Sequence, residues 1–168
     1  MTVPARFTSV LSVVVALLAL TSGACETYRK MVYLPPLSEQ MALIRNNDIR
    51  IHKLSTTAFL EMWGPPTYER QERTAFFVLD SGEYVPTFRV PLGEAPPGWT
   101  SKVANGEGHF FLYEDRGELL AFLEDVLPEE RLVYRERLSP QDLDAVVKLW
   151  KRNDQMKLRL EKDLQHPR

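Results

Sequence analysis

The chain contains a single cysteine, and its position limits what can fold. Cys25 follows Thr21-Ser22-Gly23-Ala24, which closes an apolar run from Val10 to Leu20. A charged start at Arg6, a short apolar segment and a small-residue exit form the pattern of a secretory signal peptide, here residues 1–24. As a helix that run reaches only about 16 Å, whereas a hydrocarbon core of about 30 Å needs nearer twenty residues, which disfavours a membrane span. Removal of the segment leaves about 144 residues, enough for one domain with an ordinary core. No second cysteine is present to form a disulfide, so stability must come from packing, for which eight Phe, six Tyr and three Trp are available.

A cysteine directly after the small-residue exit resembles a bacterial lipoprotein signal, in which the thiol is lipidated and becomes the mature N-terminus. Ser22 departs from the bulky aliphatic residue commoner three places before that cysteine, and a plain signal with a free thiol is the rival reading. Glu26, in place of an aspartate, favours sorting to the outer membrane. The expected location is the bacterial cell envelope, with the lipid on Cys25 in the membrane and the domain facing the periplasm. Net charge is −2, falling to about −3 once Arg6 is lost, and no strongly basic face is evident, which argues against nucleic acid as a partner. Residues 25–37 read as a tether: Pro35-Pro36 favours extended chain, and a dozen such residues reach about 40 Å.

An α+β domain is expected over residues 38–138, followed by a helix and tail over 139–168. Ser38 is a candidate N-cap for a helix from Glu39 to Arg45, ended by Asn46-Asn47-Asp48. Ser55 caps a second helix from Thr56 to Trp63, with Gly64 at its C-terminus and Pro65-Pro66 beyond; Phe59, Met62 and Trp63 form its apolar face, and Trp63 should be buried against a sheet. Thr74 to Leu79 is β-branched and aromatic and predicts a buried strand, followed by the turn Asp80-Ser81-Gly82. Tyr84 to Val90 suggests an edge or irregular strand because of Pro86 and Pro91. His109 to Glu114 and Leu119 to Val126, joined by Asp115-Arg116-Gly117-Glu118, give the strongest hairpin signal. These elements predict two short N-terminal helices on an antiparallel sheet of about three to four strands, plus the long C-terminal helix. Gly93 to Gly108, rich in Gly and Pro, predicts a long surface loop carrying Trp99, a residue suited either to anchoring a partner or to pinning the loop.

Catalytic motifs are wanting. The sequence contains no G-x-S-x-G, no phosphate-binding Gly-Lys loop, no H-E-x-x-H and no alternating calcium-loop acids. His52, His109 and His166 occupy unrelated contexts and read as surface or strand-end residues; the acidic pairs, Glu129-Glu130 among them, read as turn chemistry. No metal, cofactor, small-molecule substrate or catalytic residue is expected. A cleft that held His109 beside a buried acid would strengthen the alternative of an envelope enzyme.

The terminal helix carries the functional expectation. Ser139-Pro140-Gln141-Asp142 is a strong start signal, and the helix is predicted to run to about Leu164. Leu143, Val146, Val147 and Trp150 share one face and should dock on the sheet. Leu149, Met156 and Leu160 fall on a neighbouring stripe, with Asn153 between them, flanked by Lys151, Arg152, Lys157 and Arg159. Met156, Leu160, Lys151 and Arg152, with Trp99, are the candidate partner-binding residues.

The segment from Ser55 to Val126 resembles small outer-membrane lipoproteins of the SmpA/OmlA (BamE-like) type. The likeness rests on the capped helix ending in Trp63-Gly64-Pro65-Pro66, the strand Ala75-Phe76-Phe77-Val78-Leu79, and the hairpin Phe110-Phe111-Leu112-Tyr113 with Gly117-Glu118-Leu119-Leu120-Ala121-Phe122. The resemblance implies two helices on a three-stranded antiparallel sheet and a part in inserting barrel proteins into the outer membrane. The expected role is a binding or scaffolding subunit of an envelope assembly. The alternative within the same location is a pilotin-like escort for a secretion or motility machine.

Overall fold

The computed structural model describes residues 33–124 and 130–165. Cys25 and the signal segment lie outside the described residues, as does His166. The order of elements is α1 (Leu37–Arg45), α2 (Thr56–Trp63), β1 (Tyr68–Leu79), β2 (Tyr84–Pro86), a 3-10 turn (Thr87–Arg89), β3 (Trp99–Tyr113), β4 (Glu118–Glu124), β5 (Glu130–Arg137) and α3 (Pro140–Gln165). The fold is α+β with a long C-terminal helix, as the sequence predicts. The sheet has five strands rather than three or four, all antiparallel, in the order β2-β1-β3-β4-β5.

Both faces of the central hairpin are buried. Phe111, Tyr113, Leu120, Phe122 and Leu132 pack against Ile44, Leu54, Ala58 and Phe59 of the α1–α2 layer. Phe76, Phe110, Leu112, Leu119, Ala121 and Val133 pack against Val146, Val147 and Trp150 of α3. The uninterrupted apolar runs Phe110–Tyr113 and Leu119–Phe122 follow from this, because residues of both parities meet an apolar layer. Gly117, at φ 62°, closes the hairpin turn with its N–H on the Glu114 carbonyl. A bulge between Ala121 and Phe122 in the β4–β5 register leaves Val133 as the extra residue, so Val133 and Tyr134 both enter the α3-side core.

β5 is the strand the sequence reading omits. Leu132-Val133-Tyr134 is a short β-branched and aromatic run, but the charges on either side (Glu130, Arg131, Arg135, Glu136) hide it. Its position beside β4 supplies bonded partners for those charges. Arg135 makes a bidentate pair with Glu118 at 2.9 and 2.7 Å. Glu136 takes a bidentate pair from Arg89 at 2.6 and 2.8 Å and accepts from the Tyr134 hydroxyl at 2.7 Å. Burial, reinforced by that carboxylate, holds the Tyr134 hydroxyl well above its ordinary range.

Three further expectations are corrected. α1 begins at Leu37 with Pro36 as its N-cap, not at Ser38; the fixed φ of proline, −51°, starts the helix without a side-chain cap. The expected loop from Gly93 to Gly108 ends at Pro97-Gly98, and from Trp99 onward the chain is strand, paired with β1 from Tyr68↔Leu112 to Val78↔Lys102. Its glycines serve packing: a Cβ on Gly108 would lie 2.7 Å from the Phe110 ring and 3.0 Å from Phe76, so the bare backbone makes room for the stacked pair Phe76–Phe110. The expected strand from Tyr84 stops at Pro86 and turns across the α3-side core, where Phe88 meets Phe110 and Trp150 edge-on.

The helices are tied by capping chemistry. The Ser55 hydroxyl accepts from Ala58 N and donates to Gln40 Oε1, which also takes the Ser55 N–H at 2.8 Å; Gln40 Nε2 donates to the Pro35 carbonyl. One buried glutamine thereby joins α1, α2 and the end of the tether. Trp63 is half-buried rather than buried: Phe59 and Tyr113 meet it edge-on, and the guanidinium of Arg116 lies 4.7 Å from its ring centroid. Tyr113 donates its hydroxyl to the Gly64 carbonyl, and burial pushes its pKa up to about 12. On α3, the Ser139 hydroxyl accepts from Asp142 N and donates to Asp142 Oδ2 at 2.6 Å, which holds that carboxyl below its ordinary 3.8.

Trp150 is the keystone of the α3 side, yet among the described residues its buried indole N–H has no acceptor, nor has Nη2 of Arg70 beneath it. Trp150→Ala should cost roughly 3–5 kcal/mol through the cavity it leaves. Trp150→Phe should cost much less, because it removes an unsatisfied donor along with part of the ring. Urea denaturation of the two variants against the parent chain checks this; equal losses would show that the N–H is satisfied in solution.

Candidate partner-binding site

α3 changes character along its length. In its first half Val146, Val147 and Trp150 are buried and Leu143 packs beside them. Past Asp154 the apolar stripe is bare: Met156 is 54% and Leu160 61% exposed, and Leu164 continues the stripe in solvent. Leu149, at the start of the stripe, is half-buried against the core. The stripe is rotated from the docked face because the spacing 149, 156, 160 falls out of step with 143, 147, 150 on a 3.6-residue turn. Among the described residues, no hydrogen bond or ion pair joins α3 beyond Asp154 to the rest of the chain.

The last tie is at the sheet's β1 side. Arg70 of β1 binds Asp154 at 2.9 Å, the Trp150 carbonyl at 3.3 Å and its own neighbour Glu72 at 2.7 Å. Lys151 is exposed and lies over the ring of Tyr68, 5.9 Å from its centroid, on the β1 flank. Arg152 sits on the other flank, lining a shallow hollow with Ala145, Lys148 and Leu149. The structure therefore brings Met156, Leu160 and Arg152 to one surface that has no partner among the described residues, with Lys151 on the flank nearer the sheet.

Trp99 stands elsewhere. It opens β3, donates its indole N–H to the Lys102 carbonyl at 2.8 Å and meets Phe77 edge-on, with 37% of its surface exposed. Those contacts pin the ring to the β1–β3 ribbon. It is not joined to the α3 surface.

The sequence reading misses a polar cluster centred on His109. His109 is buried mid-strand, with its ring against Phe111 and Phe122. Nε2 is 2.7 Å from Glu69 Oε1 and Nδ1 is 2.5 Å from Glu130 Oε2. A carboxylate only accepts, so both contacts are hydrogen bonds only when both ring nitrogens carry hydrogen. The arrangement bridges β1, β3 and β5 across one face. Gln71 Nε2 lies 3.4 Å from the same Nδ1, so both ring nitrogens face protein groups. Glu69 and Glu130 are 40 and 21 residues from His109, and only strand pairing brings them together; no local signal marks them. His52, by contrast, uses Nε2 on the Gly82 carbonyl and packs on Tyr84. Among the described residues, no group of three or more His, Cys, Asp or Glu is arranged to hold a metal ion, and no helix is long and apolar enough to cross a membrane.

Compared with known proteins, the chain matches no family model, no curated protein and no solved structure.

The His109 bridge generates a test. His109→Leu should destabilise the fold by roughly 1–3 kcal/mol, because it leaves the half-buried Glu130 carboxylate without its donor. His109→Leu combined with Glu130→Gln should cost clearly less than the sum of the two single changes, as read in a denaturation double-mutant cycle. Additive losses would show that the two groups are not coupled.

Proposed function

We propose that this chain is a lipid-anchored envelope protein that binds a protein partner through the distal half of α3, as a scaffolding subunit of an outer-membrane or periplasmic assembly. The observation that carries the reading is the exposed Met156–Leu160 stripe on a helix whose first half is firmly docked. A helix of this length would not gain from extending past its core unless the extension is used, since isolated helical turns in water are marginal. An amphipathic helix that offers apolar residues at positions i and i+4 suits a groove-shaped partner surface. Arg152, with Lys157 and Arg159, favours an acidic rim on that partner. The anchor rests on the sequence pattern around Cys25.

The distal stripe is tested with Met156→Glu and Leu160→Glu together in the full-length protein. The domain should melt as the parent does, and the partner that co-purifies after mild solubilisation should be lost, because charges cannot be solvated within an apolar contact. An unfolded double variant would make the distal half part of the core, and retention of the partner would remove the helix from the interface. Mass spectrometry of the mature protein tests the anchor separately: acyl chains on Cys25 are expected, and an unmodified thiol there ends the lipoprotein reading.

A further inference from the structure

A sheet that is not closed has two lateral edges, and here they are treated differently. Along β5 the segment 52–55 covers the edge: His52 N donates to the Leu132 carbonyl at 2.7 Å, Leu132 N donates to the Leu54 carbonyl at 2.8 Å, and Ser55 bridges to Arg131. Along β1, β2 reaches only Phe76–Val78. From Tyr68 to Ala75 the outer side of β1 has no backbone partner among the described residues. Leu79 shows which groups point outward, since its N–H donates to the Glu83 carbonyl and its own carbonyl accepts from Gly82 on the β2 side. Strand alternation gives the same outward direction to Arg73, Gln71 and Glu69.

We infer that this edge pairs antiparallel with the same edge of a second copy, about a two-fold axis at Gln71. In that register Gln71 lies opposite itself, Glu69 opposite Arg73 of the second copy, and Arg70 opposite Glu72 of the second copy. The outward N–H and C=O groups of residues 69, 71 and 73 then all find partners. Opposed side chains share a face, so each carboxylate meets a guanidinium on its own side of the sheet. A slip of two residues in either direction sets Arg70 against Arg70 or Glu72 against Glu72. A slip of one sets outward groups against inward ones. Mixed charge on an edge strand ordinarily deters pairing; here the alternation is self-complementary in one register. Glu69, Gln71 and Arg73 are exposed, and Arg70 and Glu72 already form an ion pair within one copy, so the second copy extends an existing ladder. The two-fold axis is perpendicular to the sheet, which leaves α1 and α2 of both copies on one face and both α3 helices on the other.

The test uses the full chain carrying Cys25→Ser, in mild detergent, with single cysteines introduced elsewhere. Sedimentation should show a concentration-dependent dimer. Directly opposed residues lie about 5.5 Å apart, so Gln71→Cys should cross-link to itself through a short bis-maleimide. Glu69→Cys and Arg73→Cys should each fail alone, being offset by four residues or roughly 13 Å, and should cross-link when mixed. Arg73→Glu should weaken the dimer about tenfold or more by placing like charges opposite, and Glu69→Arg added to it should restore the dimer. A monomer at every concentration overturns the inference. So does cross-linking through Val103→Cys on β3, whose stretch before Gly108 has no β4 partner among the described residues, or through Met156→Cys on α3, with none through Gln71→Cys. Because Glu69 also contacts His109, the melting curve of each variant is read beside its sedimentation, and a double charge reversal that melts as Arg73→Glu does but fails to restore the dimer overturns the register.

Discussion

Burial of the β3–β4 hairpin on both faces is the constraint from which the rest of the structure follows. Phe111, Tyr113, Leu120 and Phe122 need one apolar cover; Phe110, Leu112, Leu119 and Ala121 need another. The chain supplies the first before the sheet, as α1 and α2, and the second after it, as α3. An antiparallel sheet with one wet face would have needed only one of these layers. The first half of α3 is therefore part of the fold, and Val146, Val147 and Trp150 are held there by the same burial that sets Phe59 on the opposite side.

Polar contacts fix the positions of these layers. Gln40 joins both short helices to the end of the tether, and Tyr113 fastens Gly64, the residue that follows α2, to β3. Arg89 and Glu136 clasp the 3-10 turn to β5. His109 bridges three strands through two carboxylates. Where such satisfaction fails, at Trp150 Nε1 and Arg70 Nη2, the site lies under the point where α3 leaves the sheet. Packing there is made at the expense of two donors, each costing about 1–3 kcal/mol if left dry.

Past that point the molecule offers surfaces that its own fold does not use. Among the described residues, the distal stripe of α3 is apolar and has no partner, and the neighbouring stretch of β1 has a row of unpaired outward backbone groups with alternating charge. They lie on the same side of the domain because Tyr68 and Arg70 are the residues under Lys151 and Asp154. The two surfaces differ in what they accept: a helix stripe takes a groove, and a strand edge takes another strand.

Local signals were enough for every element whose ends are chemically punctuated. Ser55 and Gly64 bound α2, Gly117 turns the hairpin, and Ser139-Pro140 opens α3, because caps and turns depend on residues within about four positions of one another. The apolar stripe of α3 and its break after Trp150 were also legible, since helical periodicity is a property of the sequence alone. What the sequence left open depends on partners distant in the chain. β5 reads as a charged segment until Glu118 and Arg89 neutralise it; Trp99 to Gly108 reads as a loop until β1 pairs with it and Phe76 and Phe110 fill the space above its glycines. His109 reads as a strand-end residue until Glu69 and Glu130 arrive from two other strands. Strand pairing decides these cases, and pairing is fixed by the register of whole strands, which no short stretch of sequence contains.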